Sequence, residues 1–151
     1  MAKVIISDTS CLIVLSKIGK IELLKDLYQE IVITKEVKSE FGNTLPSWIL
    51  ISEAKDKLKQ KELETKLDKG EASSITLALE TPGSTLIIDE LKGRKIAQSL
   101  QVDIIGTIGV VLLGNKKGLI IDVIGTILRI VNSGFRLSDK LLNKIIKEYS
   151  K

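Results

Sequence analysis

Two aspartates stand where a carboxylate can do chemistry. Asp8 follows Val4-Ile5-Ile6-Ser7, and Asp89 follows Leu86-Ile87-Ile88. Each short β-branched run reads as a buried strand, so the acid at its end leaves the apolar layer but stays near the core. Glu40 and Glu71 fall on helical stretches beside those strands, and Glu90 adjoins Asp89. In an open parallel sheet, acids so placed gather beyond the carboxyl ends of the strands, where such sheets take their ligands. Charges held that close repel by about 4 kcal/mol per pair at ~4 Å and an effective dielectric of ~20, so protons or a cation must compensate them. Oxygen-only ligands suit Mg²⁺ or Mn²⁺, and such ions activate water and stabilise in-line displacement at phosphorus. The competing reading of each acid is a helix cap, a turn residue or a solvated surface group. Most of the chain's 19 acids are of that last kind.

Composition removes the alternatives. The chain has no His and one Cys, which excludes an imidazole base, a His-ligated metal, a Cys-rich metal site and an internal disulfide. Its 151 residues are enough for one domain spanning 1–151 with a sizeable core. A net charge of +4 permits a polyanionic partner without requiring one. Two Phe, two Tyr and one Trp are a thin supply for base stacking. No apolar run reaches membrane-spanning length, and Asp8 interrupts the apolar start, so no secretory leader is expected. A cytoplasmic location is the default expectation.

The elements that would position the acids follow from periodicity and punctuation. Strands are expected at residues 3–7, 31–33, 85–88 and 102–105, with a short extended segment at 48–51. Helices fill the intervals. Thr9 or Ser10 is the expected cap of the first, and Thr34 caps one ending near Phe41. Gly70 opens a strongly apolar helix that Pro82-Gly83 ends. Residues 52–69 mix Lys with Asp and Glu around a thin stripe of Leu58, Leu63 and Leu67, and read as a solvated helix or a mobile flap. From Thr107 the pattern is helical to the end, broken by Gly118 and Gly134, with Ser138 capping the last helix. Strands separated by helical crossovers predict an α/β fold with a parallel sheet covered on both faces. The apolar helices after Gly106 exceed what a small sheet needs, so a homodimer contact is expected there.

In this order the motifs resemble a known family. Residues 4–10 (VIISDTS) resemble the opening of PIN domains, the metal-dependent ribonuclease fold of VapC-type toxins. Residues 31–41 (IVITKEVKSEF) are similar to its strand and helix ending in Glu, and residues 70–78 (GEASSITLA) to its helix opening with an acid. Residues 86–97 (LIIDELKGRKIA) resemble its strand ending in Asp before an Arg-bearing helix. Residues 102–113 are similar to the strand and Gly-Thr helix of one prokaryotic PIN-like subgroup. The resemblance implies a three-layer α/β/α sandwich around a parallel sheet of about four to five strands. It maps metal-binding, catalytic acids to Asp8, Glu40, Glu71 and Asp89, with Thr9, Ser10 and Glu90 in support. Glu36 competes with Glu40, but Val37-Lys38-Ser39-Glu40 matches the family's Val-x-x-Glu spacing. Glu in the second and third positions rather than Asp, and Thr34 where the subgroup often has Pro, depart from the pattern.

The same resemblance implies a Mg²⁺- or Mn²⁺-dependent endoribonuclease leaving a 5′-phosphate, the toxin of a type II toxin–antitoxin pair with a cognate antitoxin. Lys92, Arg94 and Lys95 are candidates for RNA phosphates, against an Arg94–Glu90 ion pair on one helix face. Lys116, Lys117 and the C-terminal lysines read as a solvated face, Cys11 as a buried structural thiol, and Trp48 as a core or interface anchor. A PIN-like module that binds RNA or protein without cutting is the alternative. A phosphotransfer receiver domain fits poorly, because Asp8-Thr9 offers one acid where a pair is needed.

Overall fold

The computed structural model describes residues 3–150. Five three-residue strands form one parallel sheet: β1 (Ile5–Ser7), β2 (Ile31–Ile33), β3 (Ile49–Ile51), β4 (Thr85–Ile87) and β5 (Asp103–Ile105). Their order across the sheet is β3-β2-β1-β4-β5. The extended segment expected near Trp48 is therefore a full edge strand, paired with β2 from Ile31↔Ile49 to Ile33↔Ile51. The chain moves outward from β1 through β2 to β3, then returns to the other side of β1 for β4. That reversal makes the β1/β4 boundary the switch point, where flanking crossovers diverge and leave a crevice at the strands' carboxyl ends.

Alternation along the strands builds the two faces. Ile5 and Ile87 point into one buried cluster, together with Leu12, Leu15, Val37, Phe41, Trp48, Val110 and Ile127. Ile6, Leu86 and Ile88 point into the other, with Ala72, Ile75, Leu63 and Ala97. Helices α1 (Thr9–Lys17), α2 (Glu22–Tyr28), α3 (Lys35–Phe41), α7 (Thr107–Lys116) and α8 (Val123–Asn132) contribute to the first cluster, and α9 (Asp139–Tyr149) adds Ile145. Helices α4 (Lys57–Glu64), α5 (Lys69–Leu79) and α6 (Leu91–Ser99) contribute to the second. The result is the expected three-layer α/β/α sandwich.

Helix α5 is buried at every position from Gly70 to Ala78. Its small residues, Gly70, Ala72, Ser73, Ser74 and Ala78, let neighbours approach on all sides. The charged segment before it departs from a single solvated helix. Only Lys57–Glu64 is helical, and Leu63 and Leu67 are buried while Leu58 is 83% exposed. Two polar devices hold this segment down. The carboxylate of Glu80 accepts the backbone amides of Lys55, at 2.9 and 3.0 Å, and of Asp56, at 2.7 Å. The buried amide of Gln60 donates to Glu36, at 2.7 Å, and to Glu64, at 3.1 Å. A flap whose backbone donors are satisfied by a carboxylate on another helix is docked, not loose. Substituting Glu80→Ala is expected to leave the sheet intact while speeding hydrogen exchange at the Lys55 and Asp56 amides by roughly tenfold or more. Exchange mass spectrometry showing unchanged protection there would remove Glu80 from this role.

Candidate functional site

Parallel pairing of Ser7 with Ile87 sets the two strand ends level. The Asp8 amide then donates to the Ile87 carbonyl at 2.9 Å, extending the ladder by one bond and turning Asp8 into the crevice. Asp8 is the N-cap residue of α1, but its side chain makes no capping bond. Neither Thr9 nor Ser10 is the cap. Thr9 occupies the first helical position, and its hydroxyl reaches across to donate to Glu40 Oε1 at 2.5 Å. The strand ends at Ser7 as expected, but the helix already begins at Thr9, so the cap position falls on the acid between them.

Asp8, Glu40, Glu71 and Asp89 all border one open cleft of about 620 Å³. Ser10, Glu90 and Lys92 border it too. Arg94 and Lys95 do not. Arg94 donates to the Ile88 carbonyl at 2.8 Å, and among the described residues no ion pair joins it to Glu90. Glu36 points elsewhere, onto Gln60. Thr34, in place of the subgroup's Pro, accepts the Val37 amide at 3.2 Å and shares a 2.7 Å hydrogen bond with Ser73, tying α3 to α5. Cys11 is fully buried, and burial pushes its thiol up to about 12, as a structural cysteine requires.

The four acids differ in environment. Asp89 is fully engaged: Thr107 donates its backbone amide to Oδ1 at 2.7 Å and its hydroxyl to Oδ2 at 2.6 Å. Gly106 makes room for this, since a Cβ there would lie 3.0 Å from Asp89 Oδ1 and 2.9 Å from Arg94 Nη1. Glu71 closes a capping box with Asp68. The Asp68 carboxylate accepts the Glu71 amide at 2.8 Å, and Glu71 accepts the Asp68 amide at 3.4 Å. Burial and the adjacent Asp68 charge push Glu71 up to about 7. Glu40 is exposed and lies over Gly70, where any Cβ would collide with its carboxylate.

Asp8 stands apart. It is only 7% exposed, and its Oδ1 has no hydrogen-bond partner among the described residues. Burial pushes its carboxyl up to about 8, against the opposing pull of the Thr9 backbone amide, and the charges of Glu71, Asp68 and Glu40 raise it further. Asp68, which borders the cleft, and Thr107, buried behind Asp89, are residues that the strand-end reading passes over. Their signals are present in the sequence: Asp68-Lys69-Gly70-Glu71 has capping-box spacing, and Thr107 follows the glycine that ends β5.

The donor chemistry fits a hard divalent cation of limited kind. Among the described residues no three acids converge as a closed ligand group. Mg²⁺ suits such an arrangement, because it binds through one or two carboxylates and keeps several waters. Asp8 Oδ1 is a buried carboxylate oxygen at the cleft without a partner among the described residues, and it would gain one from a cation.

The Asp8 environment has a measurable consequence. A carboxyl whose folded-state value lies near 8, against an ordinary 3.8, binds its proton more tightly when folded. Its stabilising protonated form is fully present at low pH and is lost as pH rises towards 8. In chelator, the melting temperature is expected to fall between pH 5 and pH 8.5 by roughly 5 °C or more. Asp8→Asn should remove the larger share of that slope, the remainder belonging to Glu71, itself raised to about 7. A melting curve whose pH dependence survives Asp8→Asn in full would assign the slope to another group.

A family model described as a PIN domain matches residues 4–151, which takes in every acid of the cleft. Comparison with curated proteins and with solved structures gives no match. With a parallel five-stranded sheet, helices on both faces and carboxylates collected at the switch point, the chain belongs to the PIN-domain family, whose fold is nuclease-like.

Proposed function

We propose that this chain is a Mg²⁺- or Mn²⁺-dependent endoribonuclease that hydrolyses RNA phosphodiesters, and that it is the toxin of a type II toxin–antitoxin pair. The observation that carries the nuclease reading is the buried Asp8 carboxylate, without an internal partner and surrounded by like charge. Asp8 and Asp89 are the central ligands in this reading, with Glu40 and Glu71 completing the acid set. A bound ion supplies an activated water and counter-charge for the phosphate. Thr9 orients Glu40, and Thr107 fixes the Asp89 carboxylate by two hydrogen bonds. Ser10 and Glu90 border the same space. Lys92 lies at the cleft as the candidate for an RNA phosphate, while Arg94 and Lys95 lie outside it. The toxin assignment and its antitoxin rest on the VapC-type resemblance of the motifs. A homodimer is supported by Ile121, 94% exposed, beside the exposed Leu119 in the loop before α8. No helix among the described residues is long and apolar enough to cross a membrane.

A second reading, a PIN-like module that binds RNA or protein without cutting, is favoured by one feature. Both Asp89 oxygens are already satisfied, and no closed ligand group exists among the described residues.

Incubation of labelled RNA with the protein separates the two. Cleavage is expected with Mg²⁺ or Mn²⁺, to be abolished by chelator, and to fall to background in Asp8→Asn with the fold retained. Comparable activity in Asp8→Asn would sink the assignment. A Mn²⁺-dependent rise in melting temperature without any cleavage would establish the second reading. Gly70→Ala gives an independent check on Glu40. The added methyl displaces the Glu40 carboxylate, while helix preference gains about 0.5–1 kcal/mol. The variant is expected to fold and yet bind Mn²⁺ roughly tenfold more weakly. Unchanged Mn²⁺ affinity by titration calorimetry would take Glu40 out of the ligand set.

A further inference from the structure

The hydrogen-bond ladder between β4 and β5 is broken level with the acids. It runs regularly as far as the Ile88 amide, which donates to the Ile105 carbonyl at 2.9 Å. Parallel strands bond at every second residue, so the next rung should join the Thr107 amide to the Ile88 carbonyl. Among the described residues that bond is not made. Its two halves go to side chains instead. The Thr107 amide donates to Asp89 Oδ1 at 2.7 Å, and the Ile88 carbonyl accepts Arg94 Nη1 at 2.8 Å. Thr107 is fully buried and opens α7, so its amide needs a partner. A glycine stands at the gap. A Cβ on Gly106 would lie 2.9 Å from Arg94 Nη1, 3.0 Å from Asp89 Oδ1 and 3.8 Å from the Ile88 carbonyl oxygen. Arg94 and Asp89 thus flank one space, yet among the described residues no ion pair joins them.

We propose that Arg94 is a positioning residue for Asp89: by taking the Ile88 carbonyl it holds the last rung open and leaves the Thr107 amide to the Asp89 carboxylate. The two acceptors compete for one donor. Without Arg94, the donor that the strand register offers the Ile88 carbonyl is the Thr107 amide. Closing that rung takes the amide from Asp89, which then keeps only the Thr107 hydroxyl on Oδ2. A hydroxyl rotates, whereas a backbone amide at a helix start does not, so the carboxylate loses its fixed anchor. Arg94 therefore acts on Asp89 through the backbone and not through its charge. The consequence for a cation at Asp89 rests on the nuclease reading; the open rung does not.

The first test needs neither metal nor RNA. The Thr107 amide proton is followed by nuclear magnetic resonance in the wild-type protein, in Arg94→Met and in Arg94→Lys, each with and without Asp89→Ala. Asp89→Ala is expected to move that proton upfield in the wild-type background and to leave it nearly unmoved in Arg94→Met, a difference that the double-mutant cycle reads directly. Arg94→Lys keeps one donor and should restore the response. An equal response in the wild-type and Arg94→Met backgrounds would overturn the inference. If Arg94→Met does not fold, the wild-type protein still decides. A coupling across the hydrogen bond from the Thr107 nitrogen to the Asp89 carboxyl carbon is expected, and one to the Ile88 carbonyl carbon instead would overturn the open rung. Titration calorimetry adds the metal arm. Arg94→Met should bind Mn²⁺ roughly tenfold more weakly, with Arg94→Lys regaining most of the loss. A role through charge alone gives the opposite sign, because removing a cation near acids tightens Mn²⁺ binding, and that result would also overturn the inference. If Thr107 responds as stated but the wild-type protein neither binds Mn²⁺ nor cuts RNA, the nuclease reading falls and the open rung stands. If it cuts and Thr107 responds equally in both backgrounds, only the role of Arg94 falls.

Discussion

The Asp8 carboxyl is the constraint around which the rest of the structure is arranged. An ionised carboxylate removed from water costs several kcal/mol unless hydrogen bonds or an opposite charge compensate it. Asp8 has little of either: one oxygen lacks a partner, and the nearest charges are acids. The protein tolerates this because the backbone forces it. Asp8 continues the β1 ladder through its amide while α1 starts at the next residue, so its side chain has one direction in which to go. A group held so far from its solution behaviour remains only where the surrounding fold over-determines its position, and such groups cluster at functional sites.

Over-determination comes from topology. β1 is central and lies between β2 and β4, so the switch point falls at Asp8 and Asp89. Three-residue strands suffice at the centre of the sheet because β1, β2 and β4 are covered on both faces by clusters that continue through the helices. The crevice then inherits whatever the neighbouring helices carry at their ends. From α5 this is a capping box, whose two acids complete a helix start and charge the cleft at once. From α3 it is the last turn, with Glu40 laid over a glycine.

Much of this was legible in residue types, and the misses share a cause. The strand-end aspartates, the two-faced sheet and the α5 helix follow from local runs whose periodicity is strong. The first helix's cap, the docking of residues 52–67 and the role of Thr107 depend on partners far along the chain. Thr107 meets Asp89 across 18 positions, Thr9 meets Glu40 across 31, and Lys17 meets Ser133 across 116. No window of sequence contains such pairs. The charged segment read as a possible flap because its composition is polar. Its docking instead relies on Glu80, at the surface, and on the buried Gln60, whose partners only the fold supplies.

The two strand-end aspartates are alike in sequence and opposite in physics, and that difference says which one a bound cation affects most. Thr107 gives Asp89 two short donors, one to each oxygen, whereas Asp8 Oδ1 has none among the described residues. At Asp8 a bound cation would displace a proton that burial holds up to about 8. Binding there would therefore be coupled to proton release and strengthen with pH, as for any ligand group that must be deprotonated. The proposed metal affinity is thereby concentrated in a carboxyl whose solvation the fold has removed. An arrangement with both aspartates satisfied by hydroxyls would hold the same acids in the same cleft with far less reason to take up an ion.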